Sequence, residues 1–436
     1  MIPAETLLAL DRRHLWHPFT QAATAPDPIV IRSARGARLT AADGRDYLDL
    51  ISSWWVTLHG HANPVIADAI ARQAGELEQV IFAGFTHAPA VELAARLATV
   101  LPAGLERVFF SDDGSTSVEV ALKLAWQYWR NQGQARSRFA AFSGGYHGDT
   151  LGAMSAGQGS GFYRPFAELL LPVDLLPFPA TWDGDPAADA TEAASLAALD
   201  DWLTRHGATA VALIMEPLVQ GAGGMRMCRP GFVRAVADRL QAAGVLLILD
   251  EVMTGFGRTG APFASLKCGV TPDLICLSKG LSGGFLPLAA TVCRPALYEA
   301  FLGGDFARAF AHGHSFTANP LGCAAGLASL DLLLAPETAR RLAMIEAVHR
   351  ARQAGLARAG LTRARICGTI AAVDFAGSEQ DYGAALGQRL KAFFLERGLL
   401  IRPLGPAVYL LPPYCIGEDE LHRAYDAIEE AATTLI

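Results

Sequence analysis

Asp250 and Lys279 stand 29 residues apart, and each lies just beyond a short apolar run. The runs, 245–249 (VLLIL) and 274–277 (LICL), are too short for buried helices and suit adjacent central strands of a sheet covered on both faces. Ligands of open α/β sheets sit beyond the carboxyl ends of the strands, so the two charges should flank one crevice. A lysine and an aspartate delivered there are the parts that pyridoxal 5'-phosphate chemistry needs. The amine forms a Schiff base with the cofactor aldehyde, and the carboxylate keeps the pyridine nitrogen protonated as an electron sink. The chemistry implied is amino transfer. Taken singly, Asp250-Glu251 also reads as a capping or solvated turn and Ser278-Lys279-Gly280 as a surface loop; the joint placement at two strand ends favours the site.

Other segments could complete such a site. The strand expected at 107–110 runs into Gly114-Ser115-Thr116 at the start of a helix, where free amides, the helix dipole and hydroxyls make a phosphate cradle. Thr116 and Glu119 have capping-box spacing. The strand at 139–142 leads to Gly144-Gly145-Tyr146, where glycines let a flat ligand approach and Tyr146 could stack on its ring. Ser52-Ser53-Trp54-Trp55 reads as core or as the aromatic wall of a pocket. His59 and His61 lack a third metal ligand nearby. Gly255-Phe256-Gly257-Arg258-Thr259-Gly260 matches GxGxxG, but 250–254 separate it from its strand and Pro262 follows at once, so a dinucleotide site fails on context. Asn319-Pro320 reads as a cap and first residue of a helix, with hydroxyls at 315 and 317 just before it. Arg402, at a strand end with Tyr409 on the next run, is either a carboxylate fork or a solvated surface arginine.

These parts need a large frame. The 436 residues exceed one usual core, so a large α/β domain with a mostly parallel sheet and a smaller α+β domain are expected. The division is 1–60 as an N-terminal part of the small domain, 61–330 as the large domain, and 331–436 as the C-terminal small domain. Ala37 to Leu50 reads as a hairpin around Asp43-Gly44. Helices are expected at 64–80, 88–100, 116–128 and 231–243, and the stretch 172–201 as a poorly specified surface segment. Apolar residues make up 51% and charged ones 18%, an excess that suits a buried subunit interface. A net charge of −7 and no basic stripe argue against nucleic acid as a partner. No apolar run reaches membrane-span length, the N-terminus lacks signal-peptide features, and seven cysteines without CxxC spacing suit reduced thiols, so a cytoplasmic location without membrane attachment is expected.

Together the motifs resemble the class III, fold-type I aminotransferases. DEVMTGFGRTG with Lys279 downstream carries the superfamily likeness. SSWW at 52–55, FAGFTHAPA at 82–90, GYHGDT at 145–150, VQGAGGMRM at 219–227, IRPLG and YLLPPY within 401–414 carry the likeness to its adenosylmethionine-8-amino-7-oxononanoate branch in biotin synthesis. The resemblance implies a homodimer with shared active sites. It implies that Lys279 carries pyridoxal phosphate and moves the proton, that Asp250 pairs with the ring nitrogen, and that Tyr146 stacks on the ring. Gly114 and Ser115 would bind the phosphate, helped by His314 and Ser315 from the other subunit. Trp54, Gly313 and Arg402 would surround the oxononanoate, Arg402 holding its carboxylate, with Phe19, Trp55 and Tyr409 also lining the substrate site. Met253, where ornithine- and GABA-type relatives carry glutamine, favours the biotin branch. Two residues depart from the pattern. Phe19 stands where S-adenosylmethionine users carry tyrosine, which keeps a lysine-donor variant open, and His314 stands where proline is common. A broad ω-aminotransferase using pyruvate and a non-catalytic pyridoxal-phosphate-binding regulator are the competing readings.

Overall fold

The two apolar runs become neighbouring strands at the centre of a seven-stranded sheet. The computed structural model describes residues 2–158, 163–375 and 385–435. In chain order the strands are β1 (Arg107–Ser111), β2 (Arg138–Phe142), β3 (Asp174–Leu176), β4 (Ala210–Met215), β5 (Leu246–Asp250), β6 (Leu274–Leu277) and β7 (Ala289–Cys293). They lie in the order β1-β7-β6-β5-β4-β2-β3, with β7 antiparallel to both neighbours and the other pairings parallel. Every residue of β4 to β7 is buried, so both faces are covered.

Alternation along the strands builds two cores. Leu246 and Ile248 pack with Val118 and Ala121 of the helix Gly114–Asn131. Leu247 and Leu249 join the cluster containing Phe232 of the helix Pro230–Ala242 and Leu199 of the helix Ala188–His206. Each such Leu or Ile contributes about 1.5–3 kcal/mol by leaving water. The two ends of the chain share a second sheet: Ile31–Arg35, Arg38–Ala41 and Asp46–Asp49 are antiparallel neighbours, and Leu399–Leu400 adds in parallel beside the last. A three-stranded sheet of Thr362–Cys367, Ile370–Asp374 and Ala407–Leu410 stands with the helices Pro336–Arg358, Ala385–Glu396 and Glu418–Leu435 in the C-terminal part. No single helix among the described residues is long and apolar enough to cross a membrane.

Three expectations are corrected. The capping box belongs to Asp113, whose Oδ1 accepts from Thr116 N at 2.9 Å while Thr116 Oγ1 accepts from Asp113 N at 3.0 Å. Glu119 instead accepts the amides of Gly152 and Ala153, and the helix begins two residues earlier than the hydroxyl pattern suggests. The stretch 172–201 lies largely at the surface but is not poorly specified: it holds β3 and most of the helix Ala188–His206, which alanine content favours and which buries Leu199 and Trp202. The helix expected over 64–80 stops at Ala74, before Gly75. The hairpin at Asp43-Gly44 forms, and Asn319 caps the helix Pro320–Leu334 by accepting from Gly322 N at 2.9 Å.

Candidate active site

Parallel pairing of β5 with β6 sets Asp250 opposite Cys276, so the chain reaches Lys279 a few residues past the same sheet edge. Both side chains line one cavity of about 670 Å³, together with Gly114, Ser115, Tyr146 and Trp55. Lys279 has φ 35°, a left-handed conformation costing about 1–3 kcal/mol in a residue other than glycine. Gly280 cannot yield room, since a Cβ there would lie 2.7 Å from Leu58 Cδ1. Desolvation lowers the Lys279 amine pKa against the opposing pull of Asp250 and Glu216, which favours the neutral, nucleophilic form.

Asp250 is held from behind. His147 Nδ1 lies 2.6 Å from its Oδ2, and Oδ1 accepts from Val252 N at 3.0 Å. Burial opposes charging His147, but its hydrogen bond to Asp250 and the charges of Asp250 and Glu216 raise its pKa overall. Glu216 is buried beside them, accepting from Tyr146 N at 3.0 Å and Gly221 N at 2.9 Å, and desolvation pushes its pKa up to about 7. Tyr146 lines the cavity wall, its hydroxyl donating to Asp149 Oδ2 at 3.0 Å, with Tyr163 stacked behind it at 6.1 Å.

The Gly114–Asn131 helix points its N-terminus into the cavity. Its first amides have no intrahelical acceptors. Ser115 Oγ meets Thr150 Oγ1 at 2.8 Å and accepts from Thr150 N at 2.9 Å. Gly148, at φ +121°, crosses so close that a Cβ would overlap Ser115 Oγ.

A second cavity of about 240 Å³, lined by Phe19, Trp54, Ala222 and Leu404, meets the first at Trp55, Tyr146 and Lys279. The Trp55 ring lies 5.2 Å from Lys279 Nζ. Arg402 lies over Trp54 at 4.7 Å, and Phe19 meets Trp54 edge-on at 5.6 Å.

One sequence expectation, Tyr409, is placed otherwise, and the residues expected from the other subunit lie outside their own chain's cavities. Tyr409 is not on either cavity wall; it is buried behind the pocket, its hydroxyl accepting from Trp55 Nε1 at 2.9 Å, because its strand faces the core. Gly313, His314 and Ser315 do not line the cavities of their own chain: His314 Nδ1 lies 3.6 Å from Asp112, Ser315 O accepts from Gln79, and Gly313 is exposed. His59 and His61 are held by Ser329 and Asp49, and no metal-binding group occurs among the described residues. Sequence reasoning gave no role to His147, Glu216 or Thr150. A histidine two residues after a Gly-Gly pair carries no pattern pointing to a strand end 103 residues away.

An amine, a carboxylate and a helix N-terminus around one cavity fit pyridoxal phosphate. The aminotransferase class-III profile matches residues 20–432. The chain belongs to the class III aminotransferases. It is 55% identical over 421 residues to the adenosylmethionine-8-amino-7-oxononanoate aminotransferase of Synechococcus elongatus, covering 96% of this chain and 98% of that one. Among solved structures it is similar to the enzyme of that name from Methanocaldococcus jannaschii, with TM-score 0.91, 32% identity, and 98% and 99% of the two chains covered. An amine transaminase from an uncultivated Pseudomonas species, solved in a PLP-bound form, superposes with TM-score 0.89 at 33% identity, covering 96% and 98%. Class III aminotransferases are pyridoxal-phosphate enzymes of fold type I, and this chain is one of them.

Proposed function

We propose that this class III aminotransferase moves an amino group from S-adenosylmethionine to 8-amino-7-oxononanoate, giving 7,8-diaminononanoate in biotin biosynthesis. The observation that carries the reading is the 55% identity, over almost the whole chain, to a protein named for that reaction. The pocket is chemically suited to it: aromatic faces at Trp54 and Trp55 suit an aliphatic chain, and the Arg402 guanidinium against Trp54 suits its terminal carboxylate.

Bound pyridoxal phosphate supplies the electron sink that makes the donor carbon acidic. Lys279 Nζ, its pKa lowered by desolvation, would move the proton between that carbon and the cofactor C4′. Asp250, hydrogen-bonded to His147, holds a proton at the ring nitrogen. Gly114 and Ser115 would bind the phosphate and Tyr146 would lie against the ring. Trp55 and Tyr146 close the cavity against water. Trp54, Phe19 and Arg402 border the substrate, and in a homodimer Gly313 borders that of the partner chain. In a homodimer, His314 and Ser315 reach the partner's phosphate. Exposed Phe85, Phe306 and Phe316 in the single chain support such an interface. A cytoplasmic setting suits the seven free cysteines.

The test supplies purified enzyme with oxononanoate and each donor. Diaminononanoate formed with S-adenosylmethionine supports the reading; turnover only with simple amines and pyruvate overturns it. Phe19 on the outer cavity wall, with no hydroxyl to offer a donor, favours lysine as the second candidate, and diaminononanoate formed with lysine alone establishes that variant.

A further inference from the structure

We propose that His349, remote from both cavities, is a positioning residue: with the Gly368–Thr369 turn it forms a latch through which the C-terminal part holds the Trp55 wall of the active site. His349 lies on the helix Pro336–Arg358 and is fully buried. Its Nδ1 is 2.8 Å from the hydroxyl of Tyr425 and its Nε2 is 3.2 Å from the carbonyl of Thr369. A carbonyl only accepts, so Nε2 carries the proton and Nδ1 accepts from the tyrosine; one neutral tautomer satisfies both bonds. Burial pushes the imidazole pKa down to about 4, in keeping with that neutral state.

Thr369 passes the constraint on. Its amide at 2.9 Å and its hydroxyl at 3.1 Å both donate to the carbonyl of Arg258. Gly368, at φ +61°, lies so close to the Thr259–Gly260 backbone that a Cβ would overlap it. The turn is therefore seated directly on the Arg258 segment. The Arg258 guanidinium is fully buried, with no carboxylate bonded to it among the described residues; it donates to Pro412 O at 2.8 Å and to Trp55 O at 3.3 Å. Trp55 sits at φ 68° after Ser52 and Ser53, also left-handed, a backbone that persists only where its surroundings over-determine it. Its ring faces Lys279 Nζ. A continuous series of bonds thus runs from His349 on the helix Pro336–Arg358 through Thr369 and Arg258 to the cavity wall, while Tyr425 is a further partner of the imidazole outside that series.

The inference rests on Trp55 bordering the substrate, not on which substrate is used. Variants H349L, H349Q, Y425F and T369V are compared as purified holoenzyme, with whichever donor and acceptor the wild type turns over. A wrong substrate assignment thus appears in the wild type, and a wrong latch appears only in the variants. H349L is expected to lower kcat/KM on the order of 10- to 100-fold, as misplaced walls do, with KM rising. H349Q, whose amide can still donate to Thr369 O, recovers most of the loss. Y425F loses thermal stability while kcat/KM of the folded enzyme stays near wild type. T369V, which keeps the amide bond but loses the hydroxyl, falls between them and serves if H349L does not fold. The proposal is overturned if H349L and T369V match wild type in kcat/KM, or if Y425F lowers kcat/KM as much as H349L does.

Discussion

At the residue scale the site is a set of buried charges whose states depend on one another. His147, Glu216 and Lys279 lie buried around one cavity with Asp250, so burial and neighbouring charges shift their pKa values from the ordinary ones. Glu216 gives a checkable consequence. Its pKa rises from the ordinary 4.5 to about 7 on folding, so the native state keeps a proton that the unfolded chain has released. Stability from this group is fully present below about 4.5 and is lost as pH climbs to about 7. E216Q has no such titration. Urea unfolding of both proteins at pH 5 and pH 8 should show wild type losing about 1–3 kcal/mol relative to E216Q across that interval. Parallel pH dependences would show that Glu216 is not the proton-retaining group.

At the scale of elements, the site is the product of strand ends and one helix N-terminus. Much of that was legible. Apolar runs of five residues before Asp250 and four before Ser278-Lys279 declared β5 and β6, and Gly114-Ser115 declared the cradle. What stayed hidden was tertiary. Thr150 reaches Ser115 from 35 residues away and His147 reaches Asp250 from 103 away, and no local periodicity carries such pairings. Tyr409 has the type of a substrate contact but faces the core, which only the register of its strand on Ile370–Asp374 decides. The helix within 172–201 was obscured by proline and aspartate at its front, although its alanines favoured it. Gly148 gives the element-scale prediction. At φ +121° over Ser115, a methyl group would displace that hydroxyl and strain the backbone, at about 1–3 kcal/mol. G148A should therefore bind pyridoxal phosphate about 10- to 100-fold more weakly in equilibrium dialysis, with the far-UV spectrum unchanged. Unaltered cofactor affinity would remove Ser115 and its loop from the phosphate site.

At the scale of the whole molecule, the proposed homodimer would bring Gly313, His314 and Ser315, which line neither described cavity of their own chain, to the partner's site. Mixed dimers test this. A K279A chain and an H314A/S315A double variant should each be poorly active alone. Co-expressed, they should form heterodimers in which one of the two sites has every intact part, and activity should exceed the sum of the separate proteins. No gain on mixing would assign those residues to their own chain or to no site at all.

The central claim is that Asp250 and Lys279 serve one pyridine ring in transfer of an amino group. Its most direct measurement is the visible absorbance of the purified, cofactor-loaded enzyme during titration with S-adenosylmethionine, for wild type and D250N side by side. Wild type should convert stoichiometrically to the pyridoxamine phosphate spectrum. D250N, binding the cofactor but unable to hold the ring proton, should convert about 100-fold or more slowly. A wild-type spectrum that no amino donor alters, or a D250N variant that converts at the wild-type rate, would contradict the account.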